Sequence, residues 1–416
     1  MHGRHLLVTV ALIASATLVA CGGLGAEEGG SGRNAINWYV FNEPGGSYDK
    51  AVADCNKEAG GKYQINYVKL PTDANQQREL IVRRLAAEDK DIDLIGMDVI
   101  WTAELAEAGW ILPWEGEDKT VATEGKLEGP LKTVEYKGKV YGIPFTSNTQ
   151  LLWYRKDKVD TPADDFTWDE MIDDAVEKNT HVEVQARQYE GMTVWVNALI
   201  AGAGGQIVNQ AGDVKVDDTA KTAAEIVSKL GKSKAAPPGM STNAEDQARQ
   251  GFESGRSYYE VNYPFVYPSA EAIGKDFQKN MGWARYPRSV KGEESRPPLG
   301  GINIGVSKYS ETPDLAFEAA KCIANEQHQG DAAELGGLPP TTESVYETDQ
   351  VKKAYPFADV LRESIEAAAP RPVTPAYSDI SLAVQKTYSP PDGIDPNGIV
   401  KKLKDRIEKA AEGKIF

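Results

Sequence analysis

Histidine and cysteine are scarce in this chain, with four and three copies among 416 residues. Once the segment before Cys21 is set aside, only His181 and His328 remain. They lie far apart in sequence, and neither has a cysteine or carboxylate at metal-ligand spacing, so no metal site is expected. A Ser-His-Asp triad or a Cys-His pair would need one of these two histidines, and no G-x-S-x-G motif accompanies either.

Positive charge is also in the minority. Lysine and arginine number 46 against 62 aspartates and glutamates, which gives a net charge of -16. Nucleic acid is therefore excluded as a partner, because phosphate binding needs clustered Lys and Arg. The hydrophobic and charged fractions, 41% and 26%, are those of a soluble globular protein. At this length two domains are expected.

The glycine-rich stretch AGAGGQIVNQAGD, at Ala201–Asp213, lacks the Lys-Ser/Thr of a phosphate-binding loop. Its first glycines are interpreted as the end of a helix. The residues that follow predict a strand (QIV), a turn (NQAGD) and a second strand (VKV). No cofactor is expected.

The only long apolar run is at the N-terminus. Arg4 followed by the apolar Leu6–Val19 is typical of an export signal. Leu18-Val19-Ala20-Cys21 resembles a bacterial lipobox, which predicts a signal peptide over 1–20 and lipidation of Cys21; the alternative is an ordinary secretory signal with a chance cysteine. Residues 21–33 are predicted to be a flexible tether.

Cys55 and Cys322 each lie in a helical pattern. In an oxidising compartment they form either a disulfide or two separately buried thiols. Sequence alone does not place them within bonding distance, so both alternatives stay open.

Strands and helices alternate from Ile36 onward. INWYVF, YQINYVKL and DIDLIGM predict strands, separated by helices over Tyr48–Ala59 and Asn75–Glu88. This order indicates a parallel α/β sheet, whose ligands bind beyond the carboxyl ends of the strands. Asp98 falls just past such an end.

A second α/β segment is predicted from Leu151. Thr167-Trp168-Asp169-Glu170 predicts a capping box, and helices are expected over Gly191–Ala201 and Asn243–Ser254. SYYEVNYPFVYP predicts a strand. No Pro- or Ser-rich linker divides the chain, so two lobes would be joined by more than one crossing.

Several blocks resemble the solute-binding proteins of carbohydrate ABC importers, within them the trehalose/maltose-binding branch and most closely the actinobacterial trehalose-binding lipoproteins. They follow one another in the family's order: FNEPGG, LIGMDVIWTAELAEAGWILPW, KGKVYGIPFTSNTQLLWYRKD, FESGRSYYEVNYPF, PLGGINIGVSK, GGLPPTTESVY and RPVTPAYSDIS. The resemblance covers the whole chain after the signal peptide. It implies an α/β periplasmic-binding-protein fold of two lobes, with crossover strands and a ligand cleft at the hinge. The N-terminal lobe would take 34–146 plus 300–334, and the C-terminal lobe 147–299 plus 335–416.

The implied function is non-catalytic capture of an α-linked glucose disaccharide, trehalose first, by a lipid-anchored monomer on the outer face of the cell membrane that serves an ABC permease. Maltose or a maltooligosaccharide is the alternative ligand in the same role. A glycoside hydrolase using Asp98 and Glu260 as its carboxylate pair, and a surface adhesin for long glycans, are the alternatives of other classes.

The polar candidates are residues that match sugar hydroxyls. Asp98 would accept from hydroxyls, or else cap a helix; the family places a polar contact at Asn148, whose alternative is a turn. Glu260 in an apolar strand needs a ligand or an arginine partner, and Arg371 is that partner, a direct donor to the sugar or an exposed loop residue. The set is completed by Glu43 and Asn262.

Trp101, Tyr263 and Trp283 are candidate platforms for sugar C–H faces, with burial in the core as the alternative. Gly336 and Gly337 would let backbone approach the ligand, unless they only form a turn. The five polar residues of TSNTQ, 146–150, are expected to face the cleft rather than a core.

Overall fold

The computed structural model describes residues 34–71, 73–209 and 212–413. The predicted signal peptide, Cys21 and the tether lie outside the described residues. Eleven strands and eighteen α-helices are assigned in this part of the chain. The helices are α1 (Ser47–Glu58), α2 (Ala74–Ala86), α3 (Thr102–Glu107), α4 (Gly116–Thr123), α5 (Glu128–Thr133), α6 (Trp168–Glu177), α7 (Glu190–Gly202), α8 (Thr219–Lys232), α9 (Glu245–Glu253), α10 (Val266–Ile273), α11 (Lys275–Lys279), α12 (Pro313–Ile323), α13 (Glu326–Gly336), α14 (Glu343–Tyr346), α15 (Asp349–Ala354), α16 (Ala358–Ala367), α17 (Tyr377–Tyr388) and α18 (Ile399–Ala411).

The first sheet has the strand order β2-β1-β3-β11-β6. Its strands are β1 (Ala35–Phe41), β2 (Gln64–Leu70), β3 (Leu94–Asp98), β6 (Ile143–Asn148) and β11 (Gly300–Val306). The three strands predicted at the start of the chain are parallel neighbours, and β11 runs antiparallel to both β3 and β6. Asp98 is the last residue of β3, so the sequence prediction of its position is confirmed.

The second sheet has the order β10-β7-β9-β8. Its strands are β7 (Leu151–Arg155), β8 (His181–Glu183), β9 (Ser257–Asn262) and β10 (Met281–Ala284). A separate two-stranded ribbon joins β4 (Glu135–Tyr136) to β5 (Lys139–Val140). Since β6 belongs to the first sheet and β7 to the second, the chain passes from one to the other within a few residues, and it returns between β10 and β11. The fold therefore has two lobes joined by more than one crossing.

Large side chains hold the first crossing at both ends. Phe145 on β6 packs on Trp38, with ring centroids 6.2 Å apart. Beyond the crossing, Trp153 on β7 donates from Nε1 to the Asn262 carbonyl at 2.9 Å and packs edge-on to Phe357 at 5.0 Å. Burying an apolar side chain of this size contributes about 1.5–3 kcal/mol. The residues between Phe145 and Trp153 are therefore anchored at each end in a hydrophobic core.

The capping box is confirmed, because Thr167 and Glu170 bond reciprocally. Two strand predictions are wrong. SYYEVNYPFVYP forms a strand only to Asn262, and α10 begins four residues later, because Pro264 cannot continue the ladder. The segment after Gly205 makes a turn with one isolated bridge, Val208 to Val214, in place of two strands.

Cys55 on α1 and Cys322 on α12 form a disulfide, which decides between the two alternatives left by the sequence. Two first-lobe helices 267 residues apart in sequence are thereby cross-linked. A disulfide constrains the unfolded chain and is typically worth about 2–4 kcal/mol.

His328 lies in a cluster of charged side chains that the sequence spacing did not indicate. The fold brings its ring together with the carboxylates of Asp54 and Asp331. Lys50 Nζ already pairs with both carboxylates, at 2.6 Å to Asp54 and 2.9 Å to Asp331. The cluster is accounted for as an ion-pair network with a lysine as its cation.

Candidate functional site

A cavity of about 550 Å³ lies between the strand ends of the first sheet and the N-termini of second-lobe helices. The first lobe contributes the ends of β3 and β6, the start of β11 and the start of α2. The second contributes the starts of α7 and α9. The lining residues are Phe41, Asp73, Ala74, Asn75, Asp98, Thr146, Ser147, Asn148, Arg187, Tyr189, Glu190, Gly191, Val194, Ala244, Glu245, Asp246, Gln247, Tyr263, Gly300, Gly301, Ile302, Leu338 and Arg371.

The polar segment at the first crossing contributes three of its five side chains, Thr146, Ser147 and Asn148. The Ser147 hydroxyl is buried and has no hydrogen-bond partner among the described residues. Gln150 departs from the expectation, because it donates to Gln185 Oε1 at 2.7 Å inside the second lobe. Residues 146–148 of the segment thus face the cavity, whereas Gln150 faces the interior of the second lobe.

Arg371 links the two walls of the cavity. Its Nη2 donates to Asp98 Oδ1 at 3.0 Å, and its Nη1 donates to Glu190 Oε1 at 2.7 Å. Only 4% of the Arg371 side chain is exposed. Burial acts to lower the pKa of the guanidinium, but the negative charges of Asp98 and Glu190 outweigh it and raise the pKa well above its usual value. The group is a permanent cation held by two carboxylates.

Asp98 is the last residue of β3, and its side chain does not cap α3, since no side-chain cap bonds the start of that helix. Oδ1 accepts from the Ile100 backbone N–H at 3.2 Å as well as from Arg371. The carboxylate is 24% exposed, so part of it remains accessible from the cavity.

One wall of the cavity was not foreseen from the sequence. Arg187 stacks over the Tyr189 ring at 4.3 Å, and Glu245 begins α9 beside them. Burial raises the pKa of the Glu245 carboxyl. The available signal was positional, since helix N-termini gather at the same edge of an α/β lobe as strand ends. The rule alone does not show which helix starts face the cavity, because that depends on how the strands of the second sheet are arranged.

Tyr263 lines the cavity, whereas the other candidate aromatic side chains do not. Trp101 is 3% exposed and packs in a first-lobe core with Ile95. Trp283 lies on β10, with its ring centroid 5.5 Å from that of Phe357. For both tryptophans, the packing is that of the core alternative.

Glu43 and the two glycines form a helix junction beside the cavity. Glu43 accepts from the Ser47 backbone N–H and hydroxyl, both at 2.7 Å, and so caps the start of α1. Gly336 lies close to that carboxylate, and Gly337 ends α13 with φ of 65°. A Cβ on Gly337 would meet the Phe265 backbone at 3.1 Å, so the glycine serves a close chain crossing. Leu338, the next residue, is the one that lines the cavity.

Glu260 is fully buried and is not among the residues that line the cavity. Its expected arginine partner is not Arg371, which binds Asp98 and Glu190 instead. Asn262 Nδ2 donates to Glu260 Oε1 at 2.6 Å, and burial raises the pKa of Glu260 to about 8. Asn262 thus takes the place of the predicted arginine partner, and Glu260 Oε2 is buried with no hydrogen-bond partner among the described residues.

The sequence matches the family of bacterial extracellular solute-binding proteins over residues 50–358. This is more than half of the chain, which therefore belongs to that family. A probable ABC transporter-binding protein of Deinococcus radiodurans is 27% identical over 79% of this chain and 82% of its own. A maltotriose-binding protein of Pyrococcus abyssi is 26% identical over 75% and 69%. The maltose-bound MalE3 of T. maritima superposes with a TM-score of 0.78 at 23% identity, covering 91% of this chain and 98% of that one.

The relatives and structural neighbours are solute-binding proteins rather than enzymes. The two-lobe fold expected from the resemblance is confirmed by these neighbours. Among the described helices, none is both long and apolar enough to cross a membrane.

Proposed function

We propose that the protein captures an α-linked glucose disaccharide, with trehalose the first choice, and delivers it to the membrane subunits of an ABC importer. The observation that carries the proposal is the convergence of Asp98, Asn148 and Arg371, from three distant parts of the chain, on one cavity. Sugar hydroxyls both donate and accept, and carboxylate, amide and guanidinium groups match them.

The size and lining of the cavity favour a compact sugar. Its volume of about 550 Å³ lies within the range typical of small-molecule sites. Phe41, Tyr189 and Tyr263 are the aromatic residues of the lining, which offers few platforms for a long row of sugar rings. A disaccharide matches this cavity in size and in polarity.

Capture would close the two lobes around the sugar. Asp98 lies on the first-lobe wall and Tyr263 on the second, so sugar contacts to both walls would stabilise the closed state more than the open one. We take the lobes as 34–146 with 300–334 and 147–299 with 335–416.

The same proposal includes a lipid anchor at Cys21 and a monomer working beside its permease on the outer face of the membrane. Changing Cys21 to Ala should release the protein from the membrane fraction into the medium. Retention of the variant in that fraction would refute lipidation at this residue.

Calorimetric titration of the purified protein with trehalose, maltose, sucrose and maltotriose tests the ligand assignment. Trehalose is expected to bind most tightly, with dissociation constants in the micromolar range or below, on the order of -8 kcal/mol. If none of the sugars binds better than millimolar, the assignment fails. Tighter binding of a long glycan would favour the adhesin alternative.

Maltose or a maltooligosaccharide is the second candidate. Its support is the ligands of two similar proteins, the maltotriose-binding relative and the maltose-bound structural neighbour. Maltose binding at least tenfold tighter than trehalose would establish it. The hydrolase alternative lacks support, since Glu260 is buried outside the cavity lining; catalytic release of glucose from trehalose would reverse that conclusion.

A further inference from the structure

Glu190, the first residue of α7, accepts hydrogen bonds from three side chains. Oε1 accepts from Arg371 Nη1 at 2.7 Å and from the Tyr377 hydroxyl, and Oε2 accepts from the Ser381 hydroxyl at 2.6 Å. The side chain is 13% exposed. The carboxylate is therefore held in one orientation before any ligand is considered.

Ser381, one of the two donors on α17, is itself held by hydrogen bonds to two neighbouring side chains. Ser381 Oγ lies 2.8 Å from Thr193 Oγ1 on α7 and accepts from Gln385 Nε2 at 2.9 Å. Thr193 is fully buried and Ser381 is 3% exposed. The packing of α7 on α17 thus locks the position of the Glu190 carboxylate.

The same helix also holds the main chain next to the arginine. Asn197 Nδ2, two turns along α7, donates to the Pro370 carbonyl at 3.2 Å. Arg371 is consequently attached to α7 twice, through the backbone of its neighbour and through its own Nη1.

This double attachment decides which edge of the guanidinium faces the cavity. Because the group is planar and its donors are in a fixed fork, holding Nη1 determines the direction of the others. Nη2 reaches Asp98, and Nε is buried with no hydrogen-bond partner among the described residues. A donor that is buried and unpaired is costly unless something accepts from it.

We propose that Glu190 is a positioning residue that aims the Nε and Nη2 edge of Arg371 at the bound sugar, acting through the arginine rather than by touching the ligand. The inference rests on the proposed function, because a bound sugar supplies the hydroxyl that accepts a hydrogen bond from Arg371.

The first test compares Glu190→Ala and Glu190→Gln with the wild type in titrations with trehalose and maltose. Loss of a charge-assisted hydrogen bond predicts that Glu190→Ala weakens binding by about tenfold to a hundredfold. Glu190→Gln keeps the shape and one acceptor, so a smaller loss is expected. Glu225→Gln, on the exposed face of α8, is the matched control and should bind as the wild type does.

The second test repeats Glu190→Gln in an Arg371→Lys background. If Glu190 acts only through the arginine, the glutamine change adds less than about twofold there. An equal loss in both backgrounds would mean that Glu190 contacts the sugar itself, and the inference would be overturned.

A third measurement needs no sugar. Nitrogen-proton NMR of the arginine side chains should show slow guanidinium rotation at Arg371 in the wild type, with the signal assigned by its disappearance in Arg371→Lys. Faster rotation is expected in Glu190→Ala and in Glu190→Gln. Unchanged rotation in both variants would refute the positioning role even if sugar binds. If the wild type binds no sugar, the proposed function fails. The rotation measurement still tests whether Glu190 restrains the guanidinium of Arg371.

Discussion

Two pairs of carboxyl groups, one pair lining the cleft and one pair in the second sheet, differ in their partners. The cleft pair, Asp98 and Glu190, shares the guanidinium of Arg371. The sheet pair, Glu183 and Glu260, occupies paired positions on β8 and β9 and has uncharged partners. Ser257 donates to Glu183 at 2.6 Å, and Asn262 donates to Glu260 at the same distance.

The difference in partners leads to a difference in charge. Burial raises the pKa of Glu183 to about 7 and that of Glu260 to about 8. The charged groups facing the sheet pair are Arg256 for Glu183, and Glu253 and Arg249 for Glu260; Arg249 is itself paired with Glu253 at 2.6 Å. The carboxyl groups of the sheet pair therefore hold their protons to higher pH than an exposed glutamate does.

The largest expected effect follows from removing the shared cation. Arg371→Met leaves the partly buried carboxylates of Asp98 and Glu190 without their countercharge, which should lower the free energy of unfolding by about 3 kcal/mol. Urea unfolding measures the change, and trehalose titration should show no saturable binding. Arg83→Met, at a side chain that is 75% exposed, is the control. Equal stability of the two variants would contradict the role of the cleft pair.

The sheet pair predicts a dependence of stability on pH. Since the folded pKa of Glu260 is raised above its ordinary 4.5 to about 8, the folded protein holds a proton that the unfolded chain has lost in this range. Stability should therefore be greatest near pH 5 and fall as the pH rises through about 8. Glu260→Gln should flatten the fall, so that the variant is more stable than the wild type at pH 9.

Urea unfolding at several pH values from 5 to 9 measures this dependence. Glu183→Gln combined with Glu260→Gln should remove most of the slope, while Glu225→Gln should leave it as in the wild type. A wild-type profile without any decline above pH 6 would show that the sheet pair is not protonated.

A smaller effect is expected for Asp98→Asn. The amide keeps the size of the side chain and the acceptor for Ile100, but Arg371 loses one of its two anions. Trehalose binding should weaken by about tenfold, which corresponds to about 1.4 kcal/mol. Calorimetry gives the number; a variant that binds like the wild type would place Asp98 outside the ligand contacts.

The smallest effect is expected for Asn148→Ala at the first crossing. Removing one neutral hydrogen-bonding group should cost about 1 kcal/mol of binding, or about fivefold in the dissociation constant, with little change in unfolding. Asn280→Ala, at an exposed helix end, is the control for the loss of an amide. Unfolding of Asn148→Ala at much lower urea would indicate a structural turn instead.

Much of the architecture could be predicted locally. The alternation of strands and helices, the Thr167 capping box and the position of Asp98 at a strand end depend on neighbouring residues and were read correctly. The strand extended past Pro264 was wrong, because the apolar pattern continued into a helix that only the fold distinguishes. The candidate site was predicted less completely. Glu190 and Glu245 were missed because their helix starts reach the cavity only through the second sheet.

By itself the sequence determined the class of fold, the excess of acidic charge and the presence of Asp98, Asn148 and Arg371 in recognisable blocks. The tertiary structure decided that Arg371 pairs with Asp98 and Glu190 instead of Glu260, and that Cys55 bonds to Cys322. It also decided which carboxyl groups keep a proton. Helix and strand patterns act over a few residues, whereas ion pairing and desolvation depend on atoms brought together from remote parts of the chain.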